Sequence, residues 1–364
     1  MWKSSEFKSV PRLKSVSING YKPFGNFFAG FSSLEIIAGS NGSGKTCLFE
    51  FLKFLRDSVN RNIPPEIIQS SVGQQIFHTL HNEKISWNIT VDELIDQPIE
   101  YKGMLLGPIG NPRVVSEQVT TSISNQEEPY YFLKLNDQKG YMQEYESEKQ
   151  LITRINPNQL GLSIAYNSKM KTLYSLREYV LKWRFYNSLN IANDMIRRPV
   201  LVEQDPILRE DVGNLSSVLH FLMTQHNDIF NELQQILKIA IPGFNKLTVK
   251  AYGGLGNVMA FWQEDGIDDI LSLADLSDGI LRFLCWAVIC LHPDPSSLIC
   301  IDEPDQCLHP RTLPLLAGLF KRASERTQIL IATHSSYFLT QFDIPNIAVM
   351  YKENGEAKFI KPKD

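Results

Sequence analysis

No stretch of this sequence is apolar for long enough to cross a membrane. The longest candidate, Ile280 to Leu291, is interrupted by Arg282 and falls short of the ~20 residues that a spanning helix needs. An excess of positive charge is also lacking: 36 Lys and Arg stand against 40 Asp and Glu, for a formal net charge of −4. No generalised attraction to nucleic acid follows from that balance, although a local basic patch stays open. Cysteine is scarce, with Cys47, Cys285, Cys290, Cys300 and Cys307 giving an odd total and no Cys-x-x-Cys pair. That excludes a disulfide framework and predicts buried thiols in a reducing compartment. The opening MWKSSEFKSV has no apolar core of a signal peptide, so a cytoplasmic location is expected. Internal repeats are absent.

What is present is an ordinary globular composition, 43% hydrophobic and 21% charged over 364 residues. This length predicts one large domain with an elaborate insertion, or two lobes. The most informative segment lies near the start. Leu34 to Gly39 reads as a short apolar strand running into Gly39-Ser40-Asn41-Gly42-Ser43-Gly44-Lys45-Thr46. Glycines at this spacing let the backbone turn tightly and aim several amides at one phosphate. Lys45 then reaches the β- and γ-phosphates, and the Thr46 hydroxyl can ligate Mg²⁺. Cys47, Leu48, Phe51, Leu52, Leu55 and Val59 recur at helical spacing, so a helix opens at the loop and ends before Pro64-Pro65.

The last quarter supplies complementary chemistry. Ser297 to Pro304 is an apolar strand ending in Asp302 and Glu303, where ligands bind in open α/β sheets. Asp302 can hold a Mg²⁺ shell and Glu303 can polarise water; alone, the same pattern is also a strand leaving the core with solvated acids. Gln328 to Ser335 is a second buried strand, ending in His334, which reads as a contact to a γ-phosphate and water or as a surface cap. Upstream, Leu276-Ser277-Asp278-Gly279 introduces a helix that is apolar nearly all round. In isolation this is an ordinary serine N-cap with an acid in the first turn; Ser277 and Gly279 also mark a helix N-terminus able to bind an anion.

In this order, the four elements resemble the ABC-type ATPases of the RecF/SMC/OLD branch, and most nearly the bacterial ATPases often labelled AAA-type although their motifs are ABC-like. Leu-Ser-Asp-Gly stands where transporters have Leu-Ser-Gly-Gly-Gln, and Asp302-Glu303-Pro304-Asp305-Gln306-Cys307-Leu308-His309-Pro310 follows the branch's acidic pattern. The resemblance covers the first sixty or so residues and the last hundred or so, and the middle matches loosely. It implies an α/β P-loop fold of ABC/SMC-like type, a mixed β-sheet flanked by helices with an inserted β-rich and helical lobe. It also implies ATP and Mg²⁺ as cofactors, with ATP sandwiched between the P-loop of one chain and Ser277 and Gly279 of another. Arg282 would brace the signature helix. One copy of each motif makes a head-to-tail homodimer the economical arrangement. The family's Q-loop glutamine, a metal contact, is matched by Gln159 in Asn156-Pro157-Asn158-Gln159, with Gln75 as rival and a surface glutamine as the plain alternative for both.

The expected organisation is an ATPase core of residues 1–60 and 265–364, a β-rich extension over 61–172, and a helical lobe with its return to the core over 173–264. Lys182, Arg184, Arg197, Arg198 and Arg209 lie in or beside the helical stretch, a solvated face or a DNA- or partner-binding one. Heptads long enough for SMC arms and a zinc hook are missing. The segment after His334 is short for a Toprim nuclease, so any nuclease or other effector is expected on a separate chain. Three function classes remain: an ATPase acting on DNA in repair or phage defence, an ATP-sensing module gating a separate effector, and the ATP-binding subunit of a transporter. The diverged signature counts against the third.

Overall fold

The computed structural model describes residues 10–63, 76–78, 83–107, 111–122, 128–145, 147–153, 155–167, 169–187, 189, 191 and 194–362. The chain divides into two compact units, Met1–Arg184 with Pro345–Asp364, and Phe185–Ile344.

The first unit contains β1 (Arg12–Asn19), β2 (Phe27–Gly30), β3 (Leu34–Ala38), α1 (Lys45–Asn60) and β4 (Lys84–Asp92). There follow β5 (Ile99–Leu106), β6 (Arg113–Thr121), β7 (Tyr130–Asn136), β8 (Lys139–Met142), β9 (Gln150–Ile152) and α2 (Lys171–Leu181). Eight of these strands make an antiparallel sheet in the order β2-β1-β4-β5-β6-β7-β8-β9. Its strands alternate: in β4, Ile85, Trp87, Ile89 and Val91 are buried while their neighbours are half-exposed, as expected for a sheet with one face on a core. Strands β4 to β9 all fall within residues 61–172.

The strand before the P-loop is different. Every residue of β3 is buried, and it pairs in parallel with β17 (Ile347–Glu353), which pairs antiparallel with β18 (Glu356–Ile360). Burial on both faces is what a Leu-Glu-Ile-Ile-Ala run is suited to, except for Glu35. That carboxylate accepts from the Ser32 amide at 2.9 Å and from Lys361 Nζ at 2.6 Å. Burial pushes its pKa up, and Lys361 and Ser32 pull against that. Helix α1 buries Leu48, Phe51, Leu52, Leu55 and Val59 on one stripe and ends at Asn60.

Strand β10 (Trp183–Asn187) spans the division between the units. The second unit continues with β11 (Val200–Leu201), α3 (Leu215–Gln225), α4 (Asn227–Ala240), β12 (Phe244–Ala251), β13 (Asn257–Glu264) and β14 (Leu271–Ser272). Next come α5 (Asp278–Leu291), β15 (Leu298–Asp302), α6 (Leu313–Ala323), β16 (Gln328–Thr333) and the single turn α7 (Ser336–Leu339). The stretch read as helical from residue 173 onward therefore also carries strands. Trp183, Phe185 and Tyr186 are buried in β10, an aromatic run whose strand preference outweighs the helical neighbourhood. Strands β15 and β16 are parallel and buried throughout, with Leu298 opposite Gln328 and Asp302 opposite Ala332. Helix α5 buries residues on all sides from Leu281 to Leu291.

The cysteine expectation needs one correction. Cys285, Cys290 and Cys300 are buried, but Cys47 is half-buried and Cys307 exposed. Cys307 sits outside the apolar strand, in a turn where its φ is 62°.

Candidate functional site

In the first unit, β3 delivers the chain into the glycine-rich loop, and α1 starts at Lys45. Gly44 caps the helix with φ 111°, and no side chain caps the N-terminus. The amides of the first turn therefore keep their capacity for an anion. Gly42 has φ 79°, a conformation that other residues adopt only under strain. Gly39 is required for space instead: a Cβ there would lie 2.3 Å from the Met350 carbonyl oxygen. Lys45 is 6% exposed, and its Nζ donates to the carbonyls of Gly39 at 2.6 Å and Ser40 at 3.1 Å, folding the ammonium over the loop. Ser43 Oγ is buried without a hydrogen-bond partner. A buried orphan hydroxyl is costly unless something fills its valence. With the uncapped helix and the glycine turn, it makes a cradle that fits a polyphosphate. Asn41 and Thr46 are on the exposed side of the same loop.

In the second unit, the parallel pair β15 and β16 brings its acids and histidine to one end. Asp302 closes β15 and is 9% exposed. The Glu303 amide extends the ladder by donating to Ala332 O at 2.8 Å, while Glu303 itself has φ 52°. A bulky residue held in the left-handed region is strained, and such strain clusters at working sites. The turn aims the Glu303 carboxylate at His334: Oε1 lies 2.7 Å from Nδ1, and Oε2 accepts from the His334 amide at 3.4 Å. The Glu303 side chain is 12% exposed and that of His334 51%, so the carboxylate is sheltered behind the ring. Thr333 Oγ1 donates to Asp305 at 3.0 Å and accepts from the Ser335 amide at 3.0 Å, pinning the two turns together. Sequence reasoning proposed Glu303 and His334 as separate contacts; their mutual hydrogen bond appears only in the fold.

The signature turn lies in the same unit. Ser277 is the N-cap of α5, its Oγ accepting from the Ile280 amide at a long 3.4 Å. A Cβ on Gly279 would meet the Cys307 carbonyl oxygen at 2.8 Å, so the glycine permits close contact with the turn after β15. Trp286 Nε1 donates to Pro304 O at 3.1 Å and ties the middle of α5 to the residue following Glu303. Arg282 has a buried Nε with no hydrogen-bond partner. Arg197, which the sequence offered only as part of a basic stretch, grips the signature turn from 81 residues away. No local pattern announces such a contact.

Gln159 does not join the P-loop. Its neighbour Asn158 accepts from the Ile63 amide at 2.8 Å, beyond the C-terminal end of α1. The P-loop opens the opposite end of that helix, which is about 24 Å long at 1.5 Å per residue. The turn around Gln159 is instead structural, leading into Gly161 and Leu162, whose amides donate to Glu117. The rival, Gln75, lies outside the described residues.

This fold and these motifs define an ABC/SMC-like P-loop ATPase. Residues 36–340 match the family described as "AAA domain, putative AbiEii toxin, Type IV TA system", and the chain belongs to that family. No curated protein matches. Among solved structures, the chain is similar to an SMC head bound to the C-terminal winged-helix domain of ScpA. That match has a TM-score of 0.59 at 13% identity and covers 96% of this chain and 97% of the other. A Pyrococcus furiosus SMC head with an extended coiled coil, bound to the C-terminal domain of ScpA, matches with a TM-score of 0.58 at 12% identity, covering 96% of each chain. Among the described residues no helix is long and apolar enough to cross a membrane.

Proposed function

We propose that this chain binds and hydrolyses ATP as a head-to-tail homodimer and couples ATP-driven closure to a partner. The observation that carries the hydrolytic reading is the Glu303–His334 pair, 2.7 Å apart at the end of two buried parallel strands. In this reading Lys45 and Ser43 hold phosphate oxygens, with the amides of Gly39 to Thr46 around them. Thr46 and Asp302 would hold Mg²⁺, which would supply charge neutralisation at the phosphates. Glu303 accepts a proton from water, and His334 fixes the orientation of its carboxylate. Gln159 has no part in this metal shell.

The signature turn supports the homodimer reading. Ser277 and the start of α5 present an anion-binding helix end, and the chain carries one such turn and one P-loop. As a working organisation, residues 1–60 and 265–364 form the nucleotide-binding core and the segments between them the accessory lobes. For the partner, a separately encoded protein effector is favoured over DNA, because the net charge is −4 and the similar SMC heads are bound to ScpA domains. A defence setting agrees with the toxin–antitoxin wording of the family's description. DNA repair and a cytoplasmic location remain part of the wider proposal.

Mixing two inactive chains tests the shared site. Ser277→Arg should bind ATP normally yet release no phosphate, while Lys45→Ala should bind ATP about 10²-fold more weakly, the worth of a charged hydrogen bond. Their heterodimer regains up to one complete site. Phosphate release above either variant alone is the expected result; heterodimers that form but stay silent would sink the shared-site model.

A further inference from the structure

The signature turn is held by a residue far from it in sequence, and that hold has a consequence for the reaction. With Leu276 to Gly279 read as the ATPase signature, the hold bears on hydrolysis. Arg197 closes a short 3-10 turn (Asp194–Arg197) and directs its guanidinium at the segment leading into α5. Its Nη1 donates to the carbonyls of Leu273 at 3.3 Å, Ala274 at 3.0 Å and Leu276 at 2.9 Å. Its Nη2 donates to Asp278 Oδ1 at 2.7 Å. Three main-chain carbonyls and one carboxylate therefore converge on a single planar cation. The two N–H groups of Nη1 are shared among the three carbonyls while Nη2 serves the carboxylate, a planar fork that the compact ammonium of a lysine does not reproduce.

Residues Leu273–Asp275 form a single 3-10 turn, capped at its start by Ser272 and Asp275. Hydrogen bonds from Ser272, helped by Arg197, hold the Asp275 carboxyl below its ordinary pKa. The carbonyls at the other end of this turn face Arg197, and Ser277 then runs extended, with ψ 155°, into α5. Asp278 stands in the first turn of α5, next to Ser277. Its charge favours the helix dipole but repels any phosphate brought to the same helix end. Asp278 is 57% exposed, and the 22%-exposed Arg197 lies against it.

We propose that Arg197 is a positioning residue for ATP hydrolysis. It fixes the main chain that presents Ser277 and the α5 N-terminus to the γ-phosphate of the partner copy, and it cancels the Asp278 charge that would repel that phosphate. This gives the second unit an internal device for setting signature competence: whatever displaces the short turn carrying Arg197 loosens the signature and exposes an uncompensated acid beside it.

The test compares full-length wild type with Arg197→Ala, Arg197→Lys and the double variant Arg197→Ala/Asp278→Asn, by amide hydrogen exchange over residues 273–281 and by steady-state phosphate release. Arg197→Ala should speed exchange in that segment and lower kcat on the order of 10²-fold, as a misplaced reacting group does. ATP binding, measured separately by calorimetry, should change less than about twofold, since 1.4 kcal/mol would already be tenfold. Arg197→Lys should keep the charge, lose the fork, and fall between the two. Adding Asp278→Asn should recover part of kcat while exchange stays fast, a split that a merely structural arginine would not give. Unchanged exchange in Arg197→Ala, or a double variant no faster than the single one, overturns the proposal. A wild type that releases no phosphate overturns the ATPase reading itself and the catalytic half of this proposal with it, whereas unchanged exchange in an active enzyme removes the clasp alone.

Discussion

Two carboxylates, Glu303 and Glu117, show how differently the two kinds of sheet in this molecule handle charge. Strand β15 is buried along its whole length, so its acids stand only at the end, where Glu303 lies in a strained turn against His334. Strand β6 belongs to the alternating antiparallel sheet, and Glu117 sits in its middle, fully buried. Glu117 is surrounded by donors: Tyr101 Oη at 2.9 Å, the Leu162 amide at 2.9 Å, and the Gly161 amide. Burial still wins, and its pKa is pushed up to about 7 despite those three hydrogen bonds. One acid stands at a strand end against the exposed His334; the other is enclosed and ties the 157–164 turn to the sheet. A carboxylate that can do chemistry needs access, and one that only fastens backbone does not.

Conversion of each acid to glutamine should separate these roles. The largest effect is expected for Glu303→Gln, which keeps shape but loses the proton acceptor. Phosphate release should slow by roughly 10²–10⁴-fold, the usual worth of a positioned general base, with ATP binding retained. The variant should persist as a dimer in ATP when measured by light scattering. Unchanged release would take Glu303 out of the chemistry, and Asp305 or His334 would be next to test.

Glu117→Gln should leave phosphate release alone and act on stability. A carboxyl whose folded pKa is about 7, against an ordinary 4.5, binds its proton more tightly in the native state. Its contribution is therefore greatest at low pH and falls as the pH rises from about 4.5 to about 7, by about 3 kcal/mol at most. Glutamine cannot titrate, and its amide opposes the Gly161 N–H. The gap in Tm between wild type and variant should be widest below about pH 4.5, narrow as the pH rises toward 7 and stay flat above. A gap that widens with pH would contradict a raised pKa.

The smallest effect is expected at Gly42 of the P-loop. Gly42→Ala meets nothing within 4 Å and carries only the cost of φ 79°, about 1 kcal/mol. Gly39→Ala drives a methyl against the Met350 carbonyl and should disrupt the loop. Equal loss of ATP affinity in the two, measured by calorimetry, would mean that loop conformation matters as much as space.

How much of this was legible in the sequence differs between these places for a physical reason. A phosphate cradle is built from consecutive backbone amides, so Gly39 to Thr46 had to be contiguous, and its strand and helix neighbours declared themselves by period. The buried runs of β15 and β16 likewise announced parallel strands with acids and a histidine at one end. The strand at Trp183 was masked by the helical neighbourhood around it. The turn at Gln159 resembled a Q-loop in composition alone.

The sequence by itself determined the class of chemistry: a P-loop, an acidic strand end, a histidine and a signature turn in family order, each a local pattern with a local cause. Only the tertiary structure decided which side chains act on one another. It joined Glu303 to His334 across two strands, enclosed Glu117, sent Gln159 to the far end of α1, and put Arg197 on a turn 81 residues away. Such pairings are set by packing among segments distant in the chain, and neither periodicity nor composition encodes a partner at that range.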